Sequence, residues 1–129
     1  MRSIAITSLT ALMLLASSAA AQERTPAERQ TLIDLSYVLG ESHALRQACT
    51  GPEDQFWRTR MQRLVQAEQP DAAFDRRLKE SFNTGFVTGQ TAFSSCSPQS
   101  RRAEAMAAAR GRALAATLTR GMASPPTKR

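Results

Sequence analysis

Residues 82–97 read FNTGFVTGQTAFSSCS. Gly85 and Gly89 lie about one helical turn apart, Phe82, Phe86 and Phe93 recur at turn-like spacing, and Cys96 stands near the end. Three readings compete: a membrane helix with a dimerising glycine motif, a reactive-thiol site, or one wall of a small helical bundle. The membrane reading fails on charge and length. The same periodic segment begins at Asp71 and carries Asp75, Arg76, Arg77, Lys79 and Glu80. Its uncharged remainder is shorter than the roughly 20 residues a span needs. In water, glycines at helical spacing mark close approach of another helix or a loosened turn.

The same period governs the rest of the chain, and no stretch alternates for long with period two. Thr25-Pro26-Ala27-Glu28 is a capping box with proline at the first helical position, opening a first helix that should run to about Cys49. Leu35, Val38, Ser42, Leu45 and Cys49 fall on one face of it, with Leu32 and Leu39 beside them. Gly51 breaks this helix and Pro52 restarts the chain, with Glu53 and Asp54 favouring a new N-terminus. Trp57, Met61, Leu64 and Val65 form the stripe of the second helix, with Phe56 at its shoulder, and Asp54 and Arg58 are spaced to pair. Asp71 caps a third helix expected to reach Ser95, its face running through Phe74, Leu78, Phe82, Gly85, Phe86, Gly89, Phe93 and Cys96. Asp75 with Lys79, and Arg76 with Glu80, decorate the far side. Ser97-Pro98 starts a fourth helix, with Gly121 as its expected C-terminal cap. Its stripe (Ala103, Met106, Ala107, Leu114, Leu118) is thin, so it should pack most weakly.

Short connections make neighbouring helices antiparallel. The first and third then run the same way, and Cys49 and Cys96 sit at their shared upper end. Pairing requires Cα atoms within about 7 Å. Ser42 stands as far below Cys49 as Gly89 does below Cys96, and Val38 matches Gly85, and Leu35 matches Phe82, in the same way. Small residues would meet under the bridge and large ones further down. The expected fold is all-α, a small four-helix up-down bundle tied by one disulfide, Cys49–Cys96. A reactive thiol pair is the alternative, with no CxxC and no histidine beside either cysteine to support it.

The chain opens MRSIAITSLTALMLLASSAAAQ. Arg2, the apolar run Ile4–Ala16 and the small residues Ala19-Ala20-Ala21 are laid out as a secretory signal peptide in residues 1–21. An uncleaved anchor is the competing reading. A helical domain in 22–123 and a disordered tail in 124–129 complete the expected organisation, and the expected location is the periplasm.

Lys and Arg number 17 against 11 Asp and Glu, a net +6 that falls by one if Arg2 leaves with the leader; the only lysines are Lys79 and Lys128. Export sets nucleic acid aside and leaves lipid head groups, lipopolysaccharide and acidic wall polymers as available polyanions. Arg58, Arg60 and Arg63 form a candidate patch for an anionic partner. Arg101, Arg102, Arg110 and Arg112 would extend it if helices two and four are neighbours. A solvated arginine-rich surface is the plainer alternative.

No catalytic constellation, metal-ligand cluster or cofactor signature is present in the sequence. The single histidine, His43, lies off the main apolar face and reads as a surface residue. Trp57 and Tyr37 read as core-edge packing, with a partner anchor as the alternative. The expected function is therefore non-enzymatic: an accessory protein of the cell envelope that binds another envelope protein. A binding module for anionic envelope material, or a holdase-type chaperone, is the alternative.

LIDLSYVLGESHALRQAC (32–49), FW (56–57), FNTGF (82–86) and TAFSSC (91–96) together resemble a small family of exported alphaproteobacterial proteins of unknown function. The likeness spans residues 27–115. It implies an envelope location and two well-separated cysteines that pair, and it brings no activity. TPAERQ (25–30) is similar to a short run in the periplasmic helical stress chaperones, a likeness that a proline-bearing capping box also explains.

Overall fold

The computed structural model describes residues 23–123. The leader expected in 1–21 and the tail expected in 124–129 lie outside the described residues. Four helices follow one another: α1 (Pro26–Thr50), α2 (Phe56–Glu68), α3 (Ala72–Ala92) and α4 (Pro98–Ala123).

Local chemistry fixes the helix starts. Thr25 caps α1: its hydroxyl accepts from Glu28 N–H at 3.2 Å while the Glu28 carboxylate accepts from Thr25 N–H at 2.8 Å. Asp71 caps α3 by accepting from Phe74 N–H at 2.8 Å. Ser97 and Ser100 cap α4 reciprocally, each hydroxyl accepting from the other's N–H, at 2.8 and 3.0 Å. The start of α2 differs from expectation. Pro52 lies in a turn, and the helix begins only at Phe56. Asp54 accepts from Phe56 N–H and binds Arg46 through both carboxylate oxygens, so it pairs back to α1 and not forward to Arg58. These contacts, the backbone donor first, hold the Asp54 carboxyl below its usual range.

Two helix ends also differ. α3 stops at Ala92, and Phe93 is extended, so Cys96 sits in the connection and not on the helix. α4 passes through Gly121 to Ala123, because that glycine lies against the Glu28 side chain at the foot of α1 and is still helical. At the end of α1, Gly51 takes φ +99°, which only glycine adopts freely.

Every extensive contact in the bundle involves α1. α2 runs antiparallel to it, tied at one end by Arg46–Asp54 (2.9 Å) and at the other by Arg24–Glu68 (2.7 Å). α3 runs parallel: Arg29 stacks over Phe74 at 3.9 Å near the foot, the Ser81 hydroxyl donates to the Ile33 carbonyl at 2.7 Å, and the disulfide closes the top. α4 returns antiparallel, from Ser100 beside Cys49 (3.7 Å), past Arg110–Glu41 (2.6 Å), to Gly121 beside Glu28. The up-down bundle and the Cys49–Cys96 bond are as expected, with Cα atoms 4.6 Å apart.

The main core joins Leu32, Leu35 and Leu39 of α1 to Met61, Phe74, Leu78, Phe82 and Leu118. A smaller cluster under the bridge joins Val38 and Leu45 to Ala107. α4 packs along the whole of α1, contrary to the weak docking expected from its thin stripe. Small residues let the two helices approach, and Gly111 lies against Val38 and Leu35. The lightly packed helix is α2, where only Met61 is fully buried.

The α1–α3 seam explains the opening stretch. The expected level of pairing holds, but the facing residues of α1 are Tyr37, Gly40, Glu41 and Ala44, not Val38 and Ser42. A Cβ on Gly40 would collide with the Phe82 carbonyl, and one on Gly85 with the Tyr37 carbonyl. Each helix thus presses its backbone into the other's glycine. Gly89 meets Glu41 O and Ala44 Cβ, each at 2.9 Å from the same hypothetical atom. Gly40 was not singled out from the sequence.

Two sets of substitutions test this packing. Gly40→Ala and Gly85→Ala should each destabilise by about 2–3 kcal/mol, since immovable backbone blocks the added methyl. Gly111→Ala meets only side-chain methyls, of Val38 at 3.4 Å and Leu35 at 3.8 Å, and should stabilise by roughly 0.5–1 kcal/mol through helix propensity. Urea unfolding of the three variants decides it; Gly40→Ala and Gly85→Ala no less stable than the parent would refute the seam. Removing the bridge as Cys49→Ser with Cys96→Ser should lower stability by about 4 kcal/mol, from the entropy of the freed loop. A loss under about 1 kcal/mol would show that the helices hold the seam unaided.

Candidate functional site

α2 and α4 each pack on α1, and between them a groove of about 840 Å³ lies open over the α1 surface. Its floor is Leu35, Val38, Leu39 and Ser42 of α1. One wall is α2, presenting Phe56, Trp57, Arg60, Arg63 and Leu64. The other is the small-residue face of α4, with Ala105, Ala108, Gly111 and Ala115 flanked by Arg101 and Arg112. Arg46 closes the upper end. From Leu35 to Arg46 the floor is about 16 Å long at the helical rise.

The upper end is a layered stack. Arg46 and Arg60 lie over the Phe56 ring, 4.4 and 3.5 Å from its centroid. Phe56 in turn meets Trp57 edge to face at 5.0 Å. These contacts order two guanidiniums beside a ring that is 38% exposed. Arg46 is already matched by Asp54. Arg63, Arg101 and Arg112 have no carboxylate partner among the described residues. Among the described residues Glu104 is the one acid lining the groove, and it accepts from Trp57 Nε1 at 3.0 Å, linking the two walls.

The floor holds an unmatched polar atom. Ser42 is fully buried, and its hydroxyl has no hydrogen-bond partner among the described residues. A buried hydroxyl normally finds one, since leaving it unmade costs roughly 1–3 kcal/mol. Ser36, one turn and a half below, bonds the Leu32 carbonyl at 2.8 Å.

The candidate patch Arg58, Arg60 and Arg63 is split by this geometry. Arg60 and Arg63 line the groove, whereas Arg58 turns to the opposite flank of α2 beside Met61, Val65 and Phe82. Arg101 and Arg112 join the groove from α4, and Arg110 is drawn away by Glu41. Arg46 and Ser42 were missed, because only the packing of α2 and α4 on α1 makes them neighbours.

His43 is a correction. It is 3% exposed, not a surface residue, and is packed against Phe82 and Phe86 with ring centroids 5.8 and 5.4 Å away. Burial on the α3 side comes from the same close approach that Gly40 and Gly85 permit. Burial lowers its pKa, Arg58 adds to the effect, and Asp54 opposes it. Its Nδ1 has no hydrogen-bond partner among the described residues. No group of three or more His, Cys, Asp or Glu able to hold a metal ion occurs among the described residues, and no helix there is long and apolar enough to cross a membrane.

The chain belongs to the family described as "Protein of unknown function (DUF2385)", whose model matches residues 26–121. No curated protein and no solved structure matches it.

His43 gives a pH prediction. Its folded pKa lies below the usual 6.5, so the unfolded chain takes up the proton first. Its contribution to stability is complete above that value and is lost progressively as pH falls from there toward the depressed folded pKa. His43→Gln should remove that part of the slope. An unchanged profile between about pH 6.5 and pH 5 in the variant would assign the slope to other groups.

Proposed function

We propose that this chain is a non-enzymatic accessory protein of the cell envelope, exported to the periplasm, and that it works by binding another envelope component at the α2–α4 groove. The observation that carries the reading is the groove itself: an apolar floor between two walls that both carry arginine, with its one acid engaged by Trp57. Such a surface favours a partner that is apolar along its middle and anionic at its edges. The leader pattern in 1–21 supports export. The Cys49–Cys96 bond supports an oxidising compartment, where such bonds persist. Among the described residues, the large exposed apolar side chains are Phe56, Val87 and Met106, one on each of α2, α3 and α4. That scatter favours a defined groove over the broad apolar face of a holdase.

Site-specific photo-crosslinking in the native host tests the proposal. A photoreactive residue replacing Ala115 in the groove should give a discrete adduct. The same residue replacing Arg76 on the outer face of α3 should not. Mass spectrometry of the mature chain should place its N-terminus at Gln22. Failure to form a groove-specific adduct, or recovery of the chain from the cytoplasm with its leader intact, would overturn the reading.

A further inference from the structure

The groove has more structure than a general anionic site requires. Its cations stand in two facing ranks, Arg60 and Arg63 on the α2 wall and Arg101 and Arg112 on the α4 wall. An amphiphile with a single anionic head would engage cations gathered at one end. Two ranks along an open trough instead match a rod with an apolar underside and acids along both flanks. The α4 wall is built from alanine and glycine, so a backbone can come close to it, as the backbones of α1 and α3 do at Gly40 and Gly85. The floor length of about 16 Å corresponds to roughly three helical turns. A second copy of this chain is a poor occupant, since it brings a net charge of +6, or +5 once Arg2 leaves with the leader, to an arginine-lined surface.

Resting on the reading of the groove as the binding face, we propose that its occupant is an amphipathic helix of another protein. That helix would carry apolar residues at i, i+3 or i+4, and i+7, with Asp or Glu flanking the stripe on both sides. The apolar stripe covers the partly exposed Trp57 and Leu64 of α2 and the small part of Leu35, Val38 and Leu39 that the bundle leaves uncovered, 7–8% of each. The flanking carboxylates pair with the two arginine ranks, where a planar guanidinium binds a carboxylate through two N–H groups.

The test pans a displayed library of random 16-residue peptides against the disulfide-intact chain at low salt. Two groove-filling variants, Ala105→Trp and Ala115→Trp, serve for counter-selection; both sites are exposed, so the fold tolerates them. Dodecyl phosphate and phosphatidylglycerol vesicles are assayed in parallel. The expected outcome is recovered peptides that share the apolar spacing with flanking acids and gain helicity on binding. Their affinity should weaken about tenfold or more in the Arg63→Glu, Arg112→Glu variant, and stay unchanged in Arg76→Glu, Arg77→Glu. Recovered peptides without flanking acids, or insensitive to the groove reversal, overturn the helix while leaving the groove as a binding face if the Trp variants reject them. The same holds if only dodecyl phosphate or the vesicles bind, and lose binding in the Trp variants. Peptides that bind the Trp variants equally well, or no binding by any probe, overturn both.

Discussion

The arrangement depends on two helix backbones in direct contact. Gly40 of α1 sits under the Phe82 carbonyl of α3, and Gly85 of α3 sits under the Tyr37 carbonyl of α1. The exchange is reciprocal, so neither helix can rotate or slide without losing both contacts. It brings α3 near enough that Ser81 reaches the Ile33 carbonyl and that Cys96, beyond the end of its own helix, still reaches Cys49. The bond then limits separation at the one end where the partners are least packed: Cys96 is exposed and Cys49 half-buried. Glycine sets the distance and sulfur retains it.

With one side of α1 taken by α3, the other two helices share what remains. α4 solves the problem with small residues, burying Ala107 completely and setting Gly111 against Val38. α2 is short; Met61 with the partly buried Trp57, Leu64 and Val65 packs it on the core, and arginine–carboxylate pairs tie its two ends. Arg24 grips Glu68 through two nitrogens, whereas Arg46 meets Asp54 through Nε alone, and each pair remains a modest contribution. α1 therefore serves as a shared axle, with polar residues Ser36, Ser42 and His43 buried on it. An axle touched on three sides has no single apolar face, which is why a one-face reading placed His43 outside.

The local signals were legible. The Thr25 capping box, the Asp71 cap, the Ser97-Pro98 start and the cysteine pairing are short-range chemistry or simple topology, and each stands where the pattern put it. What escaped was decided by tertiary contact. Asp54 has two arginines in range by sequence, and the turn at Gly51 gives it to Arg46. Phe93 continues the period of α3, yet the chain must leave the helix there for Cys96 to meet Cys49. Arg58, Arg60 and Arg63 make a basic patch when read along one helix, but Arg58 and Arg60 point to opposite flanks of α2. The groove that Arg60 and Arg63 line is completed by α1 and α4, which no spacing within α2 could reveal.

Electrostatics bears on why the groove stays open. α2 and α4 could in principle lean together over α1 and cover the partly exposed Trp57 and Leu64 between them. Doing so would bring Arg60 and Arg63 toward Arg101 and Arg112 with Glu104 alone to compensate, and that carboxylate is held by Trp57. Like charges brought from water into a narrowing apolar cleft repel more strongly as the local dielectric falls. Closure is therefore opposed by the same side chains that line the walls. A ligand that supplies carboxylates reverses the sign of that term, and every arginine that kept the walls apart becomes a contact. On this account the arginines are not surplus surface charge. In the proposed reading they keep the groove open for a partner of opposite charge.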